Sequence, residues 1–361
     1  MQAKGALGLM AAAAVSVVVA GALAFTGGTA TVDPRAGKPV LPKVAPGLAD
    51  VAKVVLTRAG NTITFVQQDK VWKIAEKDDY PANATKVRQM LLGLAQISFV
   101  EPKTAQSDLY KRLNLEDPSD PKAQSTAVQV FDAKGTALGS VIVGKRRIDE
   151  LGGGNDGVYI RLPDEPRTWL ARGTLDLDGD VTQWLDRGIA DIKEDRIKQA
   201  VIHEADGTTL TISRDKPEDK FGLKELPPGR KLKSDTTLVE PATILQGFEL
   251  TDVKAAKSMT LPQEGVTKAD YTTFDGLTVH ATVAKQGEQD WMQLSAEASD
   301  DKEKAEAATL TQRWSPWVYG VASYKADAIR PKLESLLEAP PAPEKPAGGQ
   351  SGPAPSQPKS K

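Results

Sequence analysis

The chain has two histidines, His203 and His280, and no cysteine, which limits its chemistry before any fold is considered. Zinc sites draw on closely spaced Cys and His. No H-x-x-x-H pair exists here, and both histidines fall in stretches that read as strands, where they are expected to pack or face solvent. Asp176-Leu177-Asp178-Gly179-Asp180 opens like a calcium loop. Val181 and Arg187 stand where the sixth-position glycine and twelfth-position glutamate belong, so the string reads as a helix cap. There is no G-x-S-x-G elbow, and no S-x-x-K with its supporting motifs. Gly152-Gly153-Gly154 has neither P-loop nor dinucleotide spacing and reads as a flexible connection. Asp149, Glu150 and Asp156 are carboxylates whose spacing favours no acid–base pair. The expectation is a protein that is not an enzyme, with no cofactor and no metal.

Two other patterns have the residue types of a contact surface. Trp314, Trp317 and Tyr319, followed by Tyr324, cluster around Pro316. Aromatics beside a proline either anchor a partner or fill a core, and core filling is the favoured reading. Gly8, Ala12, Ser16, Ala20 and Ala24 recur every four residues, a stripe that lets membrane helices approach closely. The alternative is that any register of so Ala- and Gly-rich a stretch shows such a stripe.

The stripe lies in the uncharged run Gly5–Phe25, which as a helix is roughly 32 Å long and matches a bilayer core. Residues 1–25 are therefore expected to be an uncleaved transmembrane anchor. The alternative is a cleaved signal ending at Ala22-Leu23-Ala24. Lys4 favours an inside N-terminus, whereas Arg35, Lys38 and Lys43 oppose it. Long domains cross largely regardless of such charges, and the absence of cysteine suits an oxidising compartment. The body is placed in the periplasm, on a single-pass protein of the cytoplasmic (inner) membrane.

The elements that would position these groups follow from composition and alternation. The net charge is −2, with 46 basic and 48 acidic side chains, which removes the long-range attraction a nucleic-acid binder needs. Residues 26–49, rich in Pro and Gly, read as an extended tether. Residues 339–361 are mostly Pro, Ala, Gly, Ser and Lys and read as a disordered tail. Between them, residues 50–192 and 193–338 read as two α+β repeats of mostly antiparallel sheet, with helices on one face. Hairpins at Gly60-Asn61 and Asp206-Gly207 match, as do those at Lys134-Gly135 and Asp275-Gly276. An amphipathic helix over Pro81–Ile97 matches one over Glu240–Leu250. Asp219–Leu223 is set against Asp69–Lys73, and Trp317-Val318-Tyr319 against Gly157-Val158-Tyr159. The charged stretch Asp300–Gln312 is expected to be an exposed helix.

Three motifs carry a resemblance. They are Trp314–Tyr319 running into Ser323-Tyr324-Lys325-Ala326 and Leu333–Leu337, Val71-Trp72-Lys73-Ile74 running into Pro81-Ala82-Asn83, and Gly157-Val158-Tyr159-Ile160. Together they resemble the bacterial family known as domain of unknown function 4340. One departure is Asp219–Leu223, which lacks the tryptophan expected in the second half. The resemblance implies one N-terminal membrane helix, a duplicated α+β body, and genes beside ABC transporters of the gliding-motility type. The family has no assigned catalytic residues. The resulting expectation is a non-enzymatic accessory subunit that contacts an ABC permease or auxiliary subunit. The alternatives are a cell-envelope glycan- or lipid-binding module, and a hydrolase whose carboxylates meet only in the fold.

Overall fold

The computed structural model describes residues 33–148 and 156–339, and the chain divides into two compact units between Asp186 and Arg187. Both are α+β and mostly antiparallel. The first unit contains β1 (Val51–Arg58), β2 (Asn61–Gln68), β3 (Val71–Ile74), β4 (Tyr80–Pro81), β5 (Ser98–Pro102), β6 (Thr126–Asp132), β7 (Ala137–Arg147), β8 (Gly157–Arg161) and β9 (Thr168–Arg172). Among the described residues these form one sheet in the order β4-β3-β2-β1-β6-β7-β8-β9-β5. Helix α1 (Ala84–Gln96) begins where the Asn83 side chain accepts from the Lys86 amide at 3.0 Å, satisfying a free N–H of the first turn. Val87, Met90, Leu91 and Leu94 form its buried face at helical spacing. Behind the sheet, Phe65 meets Trp184 edge-on at 4.9 Å, and Phe99 meets Trp169 at 4.8 Å.

The second unit contains β10 (Gly188–Ala190), β11 (Ile197–His203), β12 (Thr209–Ser213), β13 (Gly222–Leu223), β14 (Phe248–Glu249), β15 (Asp252–Ala255), β16 (Thr267–Thr273), β17 (Leu277–Gln286), β18 (Gln289–Ala298) and β19 (Trp317–Val321). Its main sheet runs β13-β12-β11-β16-β17-β18-β19-β15. Apart from β4, the two orders coincide strand for strand. An irregularity is also repeated. The β1–β6 register slips between Val51 and Lys53, and the β11–β16 register slips between Ile197 and Gln199, so both copies hold a bulge at the equivalent place. The helices of this unit are α2 (Val239–Thr243), α3 (Asp301–Trp314), α4 (Ser323–Ile329) and α5 (Leu333–Leu336).

Several expectations need correction. Residues 33–49 are not an extended tether. Gly37 N–H donates to Phe99 O at 2.7 Å, Val40 N–H to Ile97 O at 2.9 Å, and Phe99 N–H to Lys38 O at 3.0 Å, so this lead-in segment pairs with the edge strand β5. Pro39 bridges Ser98 at that edge, where a missing N–H is tolerated. Val40, Leu41 and Val44 are buried, each worth about 1.5–3 kcal/mol of transfer free energy, which outweighs the looseness that Pro and Gly implied. The second unit repeats the device. Its lead-in strand β10 pairs with β14, just ahead of β15, which is why the units divide at residue 186 rather than 192.

The repeat also shifts in three places. Strand β19 takes the position of β9 in the sheet order, so Trp317-Val318-Tyr319 is equivalent to that strand and not to Gly157-Val158-Tyr159. The strand equivalent to β8 is β18, whose polar approach through Gly287 and Gln289 obscured it. Ile74 pairs with Phe65 while Leu223 pairs with Ile212. That register places Phe221 in the position of Trp72, one residue away from the sequence match. Phe221 is buried beneath Arg214 at 4.3 Å, so the second half replaces the tryptophan with another aromatic. The helix expected over Glu240–Leu250 shortens to α2, because the chain turns at Gly247 (φ 55°) into β14.

Candidate functional site

The predicted aromatic residues separate by depth. Trp314 ends α3 fully buried, with its indole N–H donating to Ile189 O at 2.9 Å, and Tyr319 is buried in β19. These two fill the core of the second unit and are not available to a partner. Trp317 is half-buried, and Tyr324 on α4 is 66% exposed with Lys325 Nζ 5.8 Å from its ring. The stripe Gly8, Ala12, Ser16, Ala20 and Ala24 lies outside the described residues, as do Gly152-Gly153-Gly154, Asp149, Glu150 and all of the tail beyond Ala339. No helix among the described residues is long and apolar enough to cross a membrane.

The polar candidates adopt structural roles. Asp180 caps a short 3-10 turn by accepting from Thr182 N–H at 2.9 Å, and Trp184 Nε1 donates to Asp178 O at 2.9 Å, as a helix cap requires. His203 meets Thr209 Oγ1 at 3.1 Å. His280 lies 2.7 Å from Asp270 and 3.4 Å from Glu297 across neighbouring strands. Arg196 makes a bidentate contact with Glu306 at 2.9 Å and reaches Asp275 at 2.9 Å, tying α3 to the start of β11 and to the β16–β17 turn. That guanidinium holds the Glu306 carboxyl below the usual range. Asp290 is fully buried and paired with Arg330 at 2.8 Å.

A concave surface lies in the first unit, between α1 and the β2–β3 hairpin. The hairpin turns through Asp69 and Lys70, both with positive φ (49° and 66°), which gives the twist a two-residue turn needs. The tight turn fixes Lys70 on the rim. The groove has a volume of about 360 Å³ and is lined by Leu48, Val51, Lys70, Trp72, Arg88, Leu91 and Leu92 among others. Leu92 is 41% exposed, leaving apolar surface beside Lys70 and Arg88. An apolar centre with a charged rim fits a protein segment that presents an aliphatic side chain flanked by acidic groups.

A hollow in the second unit mixes Val239 and Ile244 with Glu194, Glu240, Gln246 and Lys325. Leu48 and Glu194 each open the 3-10 turn that precedes the bulged strand, so one copy is apolar where the other is polar. Sequence reasoning missed the groove. Its signal was the apolar Leu92 at a position where the helix pattern faces solvent.

No curated protein and no solved structure matches the chain. The model of one family, the domain of unknown function DUF4340, matches residues 72–275. The match runs from β3 of the first unit to the β16–β17 turn of the second and takes in more than half of the chain. The match takes in Trp72-Lys73-Ile74 and Gly157-Val158-Tyr159-Ile160 and ends before Trp314–Tyr319, and with more than half of its residues matched the chain belongs to the DUF4340 family.

Proposed function

We propose that this protein is a membrane-anchored, non-enzymatic accessory subunit of an ABC transport system. Residues 5–25 form its transmembrane helix, and its folded units contact a transporter subunit on the periplasmic side. One observation carries the contact reading. The groove of the first unit exposes Leu92 beside buried Trp72, with Lys70 and Arg88 alongside. An apolar side chain left exposed in a groove between two cations fits a surface retained for binding rather than for stability. The uncharged run Gly5–Phe25 supports the anchor.

The test is photo-crosslinking of the full chain in its native membranes, with a photoreactive residue replacing Leu92 and a control replacing Lys134 on the β6–β7 turn. The expected product is an adduct at position 92, absent at 134, that mass spectrometry identifies as a permease or auxiliary subunit of an ABC transporter. No adduct at 92, or an adduct containing only unrelated proteins, overturns the proposal.

A further inference from the structure

Resting on the membrane-anchor reading above, we infer that the lead-in segment of the first unit is a lipid-contacting face, held against the anionic headgroups of the membrane in which residues 5–25 are anchored. Three observations carry it.

The first is the surface itself. A second groove of about 390 Å³ is lined by Lys38, Pro39, Val40, Pro42, Phe99 and Leu162, with Arg35 at its edge. Pro39, Pro42, Lys38 and Lys43 are exposed. The segment is rigidly mounted. Beyond its pairing with β5, Arg35 is fixed by Glu165 at 2.7 Å and lies over the Trp169 ring at 4.5 Å. Apolar prolines interspersed with lysines on a fixed backbone suit the headgroup region, which accepts shallow apolar contact and attracts cations.

The second is charge, read against the repeat. In the second lead-in segment, Arg187 is matched by Glu249 at 3.7 Å and Lys193 by Asp191 at 2.8 Å. In the first, Lys38 and Lys43 form no ion pair among the described residues. Among the described residues, only the lead-in segment next to the apolar run keeps lysines outside ion pairs.

The third is reach. From Phe25 to Asp33 the chain spans at most about 28 Å at full stretch. Covalent geometry therefore holds the start of the lead-in segment within about 28 Å of the end of the apolar run. Each lysine near an anionic surface favours contact about fivefold.

The chain lacks cysteine, so a single introduced thiol reports unambiguously. The full chain carrying Pro42→Cys, and separately Lys134→Cys, is labelled with an environment-sensitive fluorophore. It is reconstituted into vesicles of phosphatidylethanolamine and phosphatidylglycerol that contain a lipid with a headgroup-level quencher. The expected result is quenching at position 42 and none at 134. Combining Lys38→Glu with Lys43→Glu, or replacing phosphatidylglycerol by phosphatidylcholine, should lower the ratio of contacting to detached segments by about 25-fold or more, fivefold for each lysine. If the chain resists alkaline extraction but position 42 is quenched no more than 134, the anchor stands and the lipid-facing segment is refuted. Quenching at 42 that ignores both the charge reversal and the lipid charge refutes that segment as well. If alkali strips the chain from the vesicles, the anchor reading fails and takes this inference with it.

Discussion

Replacing Arg330 should cost this protein more than replacing the aspartate it pairs with. Asp290 opens β18 with no exposed surface, whereas the Arg330 side chain keeps 23% of its own. One Asp290 oxygen accepts from Arg330 at 2.8 Å, and the other finds no hydrogen-bond partner among the described residues. Arg330 also reaches Asp327 at 3.2 Å. Burial opposes its charge, but Asp290 and then Asp327 outweigh that and raise its pKa.

Arg330→Met leaves a carboxylate in the interior with nothing to balance it, a loss of about 3–5 kcal/mol. Asp290→Asn leaves a guanidinium that still has Asp327 and water, so its loss should be about 1–2 kcal/mol. With a unit of this size melting about 3 °C lower per kcal/mol, Arg330→Met should lower the transition of the second unit by about 12 °C. Asp290→Leu combined with Arg330→Met removes both charges and should recover most of that loss, since an apolar pair avoids the desolvation of two ions. Calorimetry and urea unfolding of the detergent-solubilised full chain measure all four proteins. Equal losses for the two single variants, or no recovery in the double, would show that water reaches Asp290 and would refute the asymmetry.

Two further outcomes follow from the second and first units respectively. Because Arg196 holds the Glu306 carboxyl low, the stability from this contact is fully present above the ordinary glutamate pKa of about 4.3. It is lost as pH falls through the lower folded value, so the gap in urea midpoint between the parent and Glu306→Gln should close on acidification from about pH 6 to 3; a gap that widens contradicts it. A Cβ on Gly144 would lie 2.3 Å from Leu113 O and 2.6 Å from Asn114 O, whereas one on Gly188 meets nothing within 4 Å. Gly144→Ala should therefore destabilise by about 1–3 kcal/mol or more and Gly188→Ala by no more than about 0.5 kcal/mol, as read from denaturation midpoints.

The features legible in the chain before folding were local ones. The hairpins at Gly60, Lys134-Gly135, Asp206-Gly207 and Asp275-Gly276 form where expected, because a turn and the alternation on either side of it are properties of a dozen neighbouring residues. Helix α1 was legible from Asn83 and from the spacing of Val87, Met90, Leu91 and Leu94, and the α+β class and the family followed from the same short patterns. Everything that depends on a distant partner was settled by the fold. Residues 33–49 look like a tether until β5 offers them an edge, since backbone groups choose their hydrogen-bond partners by proximity in the fold. Phe221 takes the place of Trp72 through strand register, and Trp314 and Tyr319 are buried because α3 and β19 close over them. The exposed groove beside Trp72 and Leu92 exists only once a hairpin and a helix come to lie side by side, and no local pattern records that meeting.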